Sequence, residues 1–337
     1  MRKLKLPKLI SSHPTEAWLI VVLVIISVVL SLTSSQFFSV GNFFNLLNTS
    51  SVNLIFAVGL VVVLIAGGID ISFAVGASVV QYVVVLGLAR IGGGNWFIGL
   101  GFSAIVGIGL GAINAALIHY FRIISIVVTI ATFNIFFGLL MFFTHGVSIY
   151  DLPDWLTQHT VLFEFQQASG TWAELTLPVA IMAVCAIATW ILIRHTTTGR
   201  QLYAFGDNPE GARRLGINVA AMHFIAFGWL GLMAGIAGMV QVYYTQQVVP
   251  NALAGRELDV LAAVVLGGAR LGGGRGTVVG CILGVFLVSV TQNGLNLLGI
   301  SPYAFKMIVG AIILVAITLS NAPLGQFFTW LRQWRQA

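Results

Sequence analysis

RHTTTGRQLYAFGDNPEGARRLGIN, Arg194–Asn218, is the longest polar interval between two strongly apolar segments of this chain, and it carries four of its sixteen Lys and Arg residues. Inside it lies the signal for a short helix. Asn208 suits an N-cap, Pro209 the first helical position, and Glu210 puts negative charge on the positive end of the helix dipole. Arg213 and Arg214 stand at the opposite end, where cations are favoured, and Gly216 can take the left-handed conformation that ends a helix. A helix of roughly two turns, about 10 Å long, is too short to persist alone in water. It reads as a docking helix, and what lies on either side of it decides the fold.

The flanks are membrane spans. The chain is 58% apolar and 8% charged, against about 25% charged in soluble proteins. Apolar runs long enough to cross a hydrocarbon core of ~30 Å recur along it. This composition predicts an all-α polytopic membrane protein, one transmembrane domain over residues 1–337. The six excess positive charges are dispersed over loops, which excludes a nucleic-acid-binding patch. Cys185 and Cys281 fall within apolar spans and read as small fillers.

About ten transmembrane helices are expected. The first is Ala17–Leu32; its length and the lack of an A-x-A exit favour an uncleaved span over a signal peptide. Phe37–Asn53, interrupted by Asn42, Asn45 and Asn48, reads as an interfacial or re-entrant entry, with Leu54–Ala66 completing the second span. The turn Gly67-Gly68-Ile69-Asp70-Ile71-Ser72 precedes a third span at Phe73–Leu88. Phe97–Phe121, Ile123–Phe143, Leu175–Ile193 and Ala220–Tyr243 follow, then a short eighth span at Leu258–Leu266, a glycine-rich loop, Thr277–Leu298 and Tyr303–Leu319. An even number of spans puts both termini on one side. With residues 1–16 and 320–337 cytoplasmic, thirteen Lys and Arg residues lie inside, and Arg90, Arg256 and Lys306 lie outside. That bias follows the positive-inside rule. The coupling loop 194–219 is then cytoplasmic, and the acidic, aromatic loop 145–174 external.

Several residues inside or between spans carry chemical potential. Asp70 stands at the Gly67-Gly68 turn between two early spans, where an ionisable group is costly. Its first reading is as a cap for the third span, with Ser72 assisting; contact with a transported solute is compatible with that role. Gly107-x-Gly109-x-Gly111, Gly231-x3-Gly235 and Gly276-x3-Gly280-x3-Gly284 read as small faces for close helix packing. Uncharged hydrogen-bonding residues inside spans, among them Asn114, Asn134, Gln241 and Asn293, suit helix-to-helix bonds or a neutral polyol passing between helices. VVLIAGGIDIS and AAVVLGGARLG form a short internal match, each at an expected cytoplasmic turn. The loop GGARLGGGRG lacks the Gly-Lys-Ser/Thr ending of a phosphate loop, and no HExxH, G-x-S-x-G or paired intramembrane acids occur. The chain is therefore not expected to be an enzyme, to bind a metal or to bind a cofactor itself.

The segment TTTGRQLYAFGDNPEGARRLGINV resembles the cytoplasmic loop of ribose-type permease subunits of bacterial ABC importers, which reads T-x-x-G-x-x-x-Y-A-x-G-x-N-P-E-A-A-R-x-x-G-I. GGIDIS is similar to that family's GGIDLS, and ELDVLAAVVLGGARLGGGRGTVVG with QNGLNLLGIS to its C-terminal signature. The resemblance implies a ten-helix ABC importer permease fold and a dimer with a second permease subunit. It also implies a cytoplasmic ATPase that holds ATP and Mg, and a periplasmic sugar-binding protein. It assigns Gly199, Asn208, Pro209, Glu210, Ala212 and Gly216, with Asp207 and Arg213 beside them, to the cytoplasmic coupling helix. Gly67, Gly68, Asp70 and Ser72 would then form the turn next to the pathway. Gly211 stands where the family has Ala, which lowers helix propensity by ~1 kcal/mol, and FAVGA replaces VGS after Ser72. The expected function is import of a monosaccharide or similar small polyol across the bacterial inner membrane, lipid surrounding the spans. The alternatives are a branched-chain amino acid or nucleoside permease, an ATP-independent facilitator and a membrane scaffold.

Overall fold

A computed structural model of the chain describes residues 14–166, 170, 172–301, 304–308, 310, 311 and 314. Eight helices among them are long and apolar enough to cross a membrane. These are α1 (Pro14–Thr33), α2 (Val40–Ile65), α3 (Phe73–Arg90), α4 (Trp96–Phe121), α5 (Ser125–Thr144), α7 (Leu177–His195), α10 (Val219–Thr245) and α12 (Val278–Leu297). The shorter helices are α6 (Asp154–Thr157), α8 (Thr197–Asp207), α9 (Pro209–Arg214) and α11 (Arg256–Leu266). The expected tenth span, Tyr303–Leu319, lies largely outside the described residues, as do residues 1–13 and 320–337.

The molecule is built around α2. Every residue from Leu54 to Ile65 is buried, which explains why that half is apolar on all faces. α4, α7, α10, α11 and α12 surround this core. The expected split of this region is corrected: Phe37–Asn53 is not a re-entrant entry, because Val40–Ile65 is one continuous helix. At 1.5 Å per residue it is about 39 Å long, more than the hydrocarbon core needs. The asparagines belong to its outer half and are used there. Asn42 pairs with Asn293 of α12 through two amide bonds of 3.0 and 2.9 Å, and Asn48 accepts from Thr176 Oγ1 at 2.7 Å.

Two backbones meet without side chains between α4 and α10. A Cβ on Gly107 would strike the Gly231 carbonyl, one on Gly231 the Gly107 carbonyl, one on Gly111 the Phe227 carbonyl and one on Gly235 the Ser103 carbonyl. Such approach gains Cα–H···O contacts and dispersion where no hydrophobic effect acts between helices. Gly109 has no neighbour within 4 Å and belongs to no contact face. Gly280 and Gly284 pack similarly on Gly267 and Ala263.

The eighth expected span is α11, eleven residues long and so about 16 Å, half a crossing. Its start is set by Gly255 at φ +93, whose N–H is held by the Glu257 carboxylate at 2.9 Å. The residues before it are pinned by the Ile149–Val248 bridge. The loop 145–174 is also more ordered than an all-α reading expects, with a two-stranded antiparallel hairpin, β1 (Val161–Gln166) and β2 (Trp172–Thr176). The VVLIAGGIDIS and AAVVLGGARLG match survives as a shared helix ending, displaced by one residue. Gly67 (φ +81) and Gly268 (φ +91) take the left-handed position, with Gly68 N–H donating to Val63 O and Ala269 N–H to Val264 O.

Candidate functional site

The docking helix forms as its residues dictate. Asn208 Oδ1 accepts from Gly211 N–H at 2.9 Å and Pro209 opens the helix. Gly216, at φ +81, ends it while Ile217 N–H closes onto Ala212 O at 3.1 Å. Glu210 faces Arg213 at 3.7 Å and Arg214 at 3.4 Å, all three exposed, so the pairs contribute only ~0.3–0.5 kcal/mol. Ala212 is buried beneath α9 while Leu215 is 81% exposed, an apolar knob at the end of a charged helix. Gly211 has a local reason to lack a side chain, since its Cβ would lie 3.1 Å from the capping Asn208 side chain. Asn208→Ala is expected to cost about 1 kcal/mol of local stability. Faster amide exchange over Gly211–Leu215, with Val219–Thr245 unchanged, checks it.

What precedes α9 is not loop but the amphipathic helix α8, which was missed on sequence. Its signal was Thr196, whose Oγ1 accepts from Gly199 N–H at 3.0 Å, with Leu202 and Phe205 turned inward. Gly199 therefore stands on α8, at a corner so tight that a Cβ would meet the Leu192 and Ile193 carbonyls, and not on the coupling helix itself. Asp207 ends α8, exposed, against Gly274.

At its far end α8 joins three backbones. A Cβ on Gly206 would enter the Ile65 carbonyl, and Gly273 packs against both Gly206 and Gly67. Gly274 N–H caps Ile65 O at 2.9 Å, and Tyr203 Oη donates to Gly276 O at 2.6 Å. The end of α2, the turn 67–72 and the loop 267–276 thus form one knot under α8–α9. The glycine loop is more than a reversal. Its glycines are the only residues small enough to close the junction.

Asp70, Ser72 and Asn114 are brought together behind that turn. Asp70 Oδ1 accepts from Ser72 N–H at 2.6 Å and Ser72 Oγ at 2.7 Å, and Asn114 Nδ2 donates to Asp70 Oδ2 at 3.2 Å and Ser72 Oγ at 2.8 Å. All three are buried. The capping reading of Asp70 holds, since its carboxylate ties down the backbone where α3 begins. Gly68 backs onto the Phe227 ring. Asn134 is exposed and bonds back to Ile130 O, and Gln241 is buried on α10; neither joins this group.

Asn293 leads to a different place. A cavity of about 430 Å³ is lined by Asn45, Thr49 and Asn53 of α2, Ser289, Gln292, Asn293 and Asn296 of α12, Asp259 of α11, and Phe305 and Lys306. The α2 residues repeat every four positions and the α12 residues follow i, i+3, i+4, i+7, so each set is a single polar stripe on an otherwise apolar helix. That periodicity was legible, but the asparagines of α2 were read as an interfacial break. Two charged side chains, Asp259 and Lys306, also line this cavity. The Oδ1 of Asn53 is buried without a hydrogen-bond partner among the described residues.

A transport-protein family model, described as branched-chain amino acid transport system / permease component, matches residues 42–317. The chain is similar to the ribose import permease protein RbsC of Escherichia coli K12, 32% identical over 320 residues that cover 91% of this chain and 95% of that protein. It is likewise 32% identical to RbsC of Bacillus subtilis, covering 89% and 90%. To the autoinducer 2 import system permease protein LsrC of Photorhabdus luminescens it is 32% identical, covering 92% and 90%. No solved structure matches it. A polar cavity beside a bundle of apolar spans, a capped helix projecting from one end and these full-length matches agree: the chain belongs to this family of transport-system permease components, in its ribose-type branch.

Proposed function

We propose that the chain is the permease subunit of an ATP-driven importer that carries a monosaccharide or similar small polyol across the bacterial inner membrane. The observation that carries the reading is the cavity between α2, α11 and α12, whose walls present amides and hydroxyls on facing stripes. Its volume falls in the range of small-ligand sites. Amide side chains both donate and accept, as sugar hydroxyls do, so each hydroxyl can exchange its water bonds for protein bonds.

The energy comes from outside the chain. ATP and Mg sit on a partner ATPase, and α9, through Asn208, Pro209, Glu210 and Arg213 with exposed Leu215, is the face it grips. Closure of the ATPase pulls α8–α9, and the knot at Gly67, Gly206 and Gly273 passes the movement to α2, whose outer half lines the cavity. A periplasmic binding protein delivers the solute from the opposite side, a second permease subunit, identical or related, completes the pathway, and both termini are cytoplasmic. Asp259 and Lys306, opposite charges on the cavity wall, favour one second reading: a zwitterionic amino acid.

Both readings are tested by reconstituting the chain with its ATPase and binding protein in vesicles and offering ribose, other monosaccharides and leucine. ATP-dependent sugar uptake that Glu210→Arg abolishes is the expected result. Because Glu210 is exposed and weakly paired, that change leaves the fold intact and reads docking alone. Leucine uptake in place of sugar would install the amino acid reading. Sugar uptake that survives Glu210→Arg, or the absence of any ATPase, would make the chain a facilitator.

A further inference from the structure

We propose that the small enclosure bounded by Asp70, Ser72 and Asn114 is a binding site for one small monovalent cation, for which sodium is the probe. This site lies apart from the polar cavity and does not depend on the solute carried there. Asp70 is 2% exposed. Among the described residues the ion pairs are those of Glu210 with Arg213 and Arg214, so no Lys, Arg or His nitrogen lies within bridging distance of the Asp70 carboxylate. The start of α3 compensates in part, through the two bonds from Ser72 to Oδ1. Oδ2 receives a single side-chain bond, from Asn114 at 3.2 Å, long for a bond to a charged oxygen. Phe73 N–H adds a backbone bond, but hydrogen bonds bring no full positive charge, and a buried carboxylate with no cation beside it lacks a counter-charge.

A second group points to the same place. Asn114 is itself 2% exposed, and its Oδ1 is buried with no hydrogen-bond partner among the described residues. Asp70, Ser72 and Asn114 line a cavity of about 20 Å³, room for roughly one water-sized sphere and far too little for a sugar. Carboxylate and amide oxygens are the ligands that hard cations take. The charge decides the valence. With one carboxylate, a monovalent ion leaves the enclosure neutral, whereas a divalent ion would leave an unpaired positive charge among Phe73, Leu110, Phe136 and Leu230.

The ion would also brace the turn. Ile69 N–H is held by Ser125 Oγ at 2.9 Å, and the same turn carries Gly67 into the knot below α8. Occupancy would therefore stabilise one arrangement of that junction, by mass action on the state that binds.

The test uses the full-length chain in lipid nanodiscs. Thermal unfolding is followed in sodium, potassium and N-methylglucamine chloride at matched ionic strength, and bound radioactive sodium is measured by equilibrium dialysis. The expected result is a midpoint that rises and saturates with sodium, remains low in N-methylglucamine, and accompanies a single bound sodium per chain. Asp70→Asn, which keeps the shape and removes the charge, should lose both effects while unfolding in N-methylglucamine no earlier than the wild type. Asn114→Asp adds a second carboxylate and should shift the stabilising ion from sodium to calcium, which a merely structural role does not explain. Equal midpoints in all salts with no bound sodium would overturn the proposal, the carboxyl being neutralised by a proton instead. Sodium stabilisation that survives in Asp70→Asn would also overturn it, by placing the ion elsewhere. If Asp70→Asn fails to fold, dialysis on the wild type still decides.

Discussion

Gly206→Val is expected to leave the chain folded in the membrane and to stop ATP-driven uptake. Any Cβ at this position enters the carbonyl of Ile65, and the neighbouring Gly274 N–H is the donor that caps that same carbonyl. Valine can be housed only if α8 lifts from the end of α2 or the loop 267–276 withdraws. Overpacking costs about 1–3 kcal/mol, and losing the Gly274–Ile65 bond leaves a buried carbonyl at a further cost of ~1–3 kcal/mol. The spans do not share this loss, because α2 is held along its length by α7, α10, α11 and α12. Damage falls on the link between α9 and the bundle. In reconstituted vesicles the variant should still recruit the ATPase, hydrolyse ATP and carry nothing. Gly216→Ala is the control. It strains a φ of +81 but meets no atom within 4 Å, so it should cost only ~1 kcal/mol and retain uptake. Normal uptake by Gly206→Val would show that movement does not pass through the knot.

Asn293→Leu separates what the polar stripe does for the fold from what it does for the solute. The change breaks both bonds of the Asn42–Asn293 pair and leaves Asn42 Oδ1 without its donor, a loss of ~1–3 kcal/mol. Adding Asn42→Leu removes the orphaned partner, and the double variant should regain most of that stability, since replacing both members of a pair by apolar groups is close to neutral. Uptake should not recover with it. If Asn293 also bonds the solute, single and double variants both lose about tenfold in apparent affinity, the worth of one good hydrogen bond. Unfolding midpoints and uptake titrations on the wild type, the two single variants and the double variant form the cycle. Recovery of uptake in the double variant would make Asn293 a structural strut and remove it from the pathway.

Much of this was written in local pattern. Apart from the start of α2, apolar runs placed the described spans to within a few residues, because burying backbone in lipid forces helices of crossing length. Asn208, Pro209 and Gly216 act within one another's reach, so α9 needed no knowledge of the fold. Asp70 and Ser72 are two residues apart and form their cap by themselves. Three readings failed where a distant partner decides. Asn42, Asn45 and Asn48 looked like an interruption because their companions, Asn293, the cavity and Thr176, come from other elements. α11, as short as its apolar run expects, reads as a span but reaches only half a crossing, its start set by Gly255 and the Ile149–Val248 bridge. α8 was read as loop, its apolar face being satisfied only by docking on the bundle.

By itself the chain determined a polytopic helical membrane protein with a capped helix in the polar interval 194–218, because hydropathy and capping act over a turn or a single span. Only the tertiary structure decided that Gly67, Gly206 and Gly273 share one junction, that Asp70 meets Asn114 in a water-sized enclosure, and that stripes on α2 and α12 face each other across a cavity. Those relations depend on how helices far apart in sequence cross, and crossing is set by packing between surfaces that no local stretch contains.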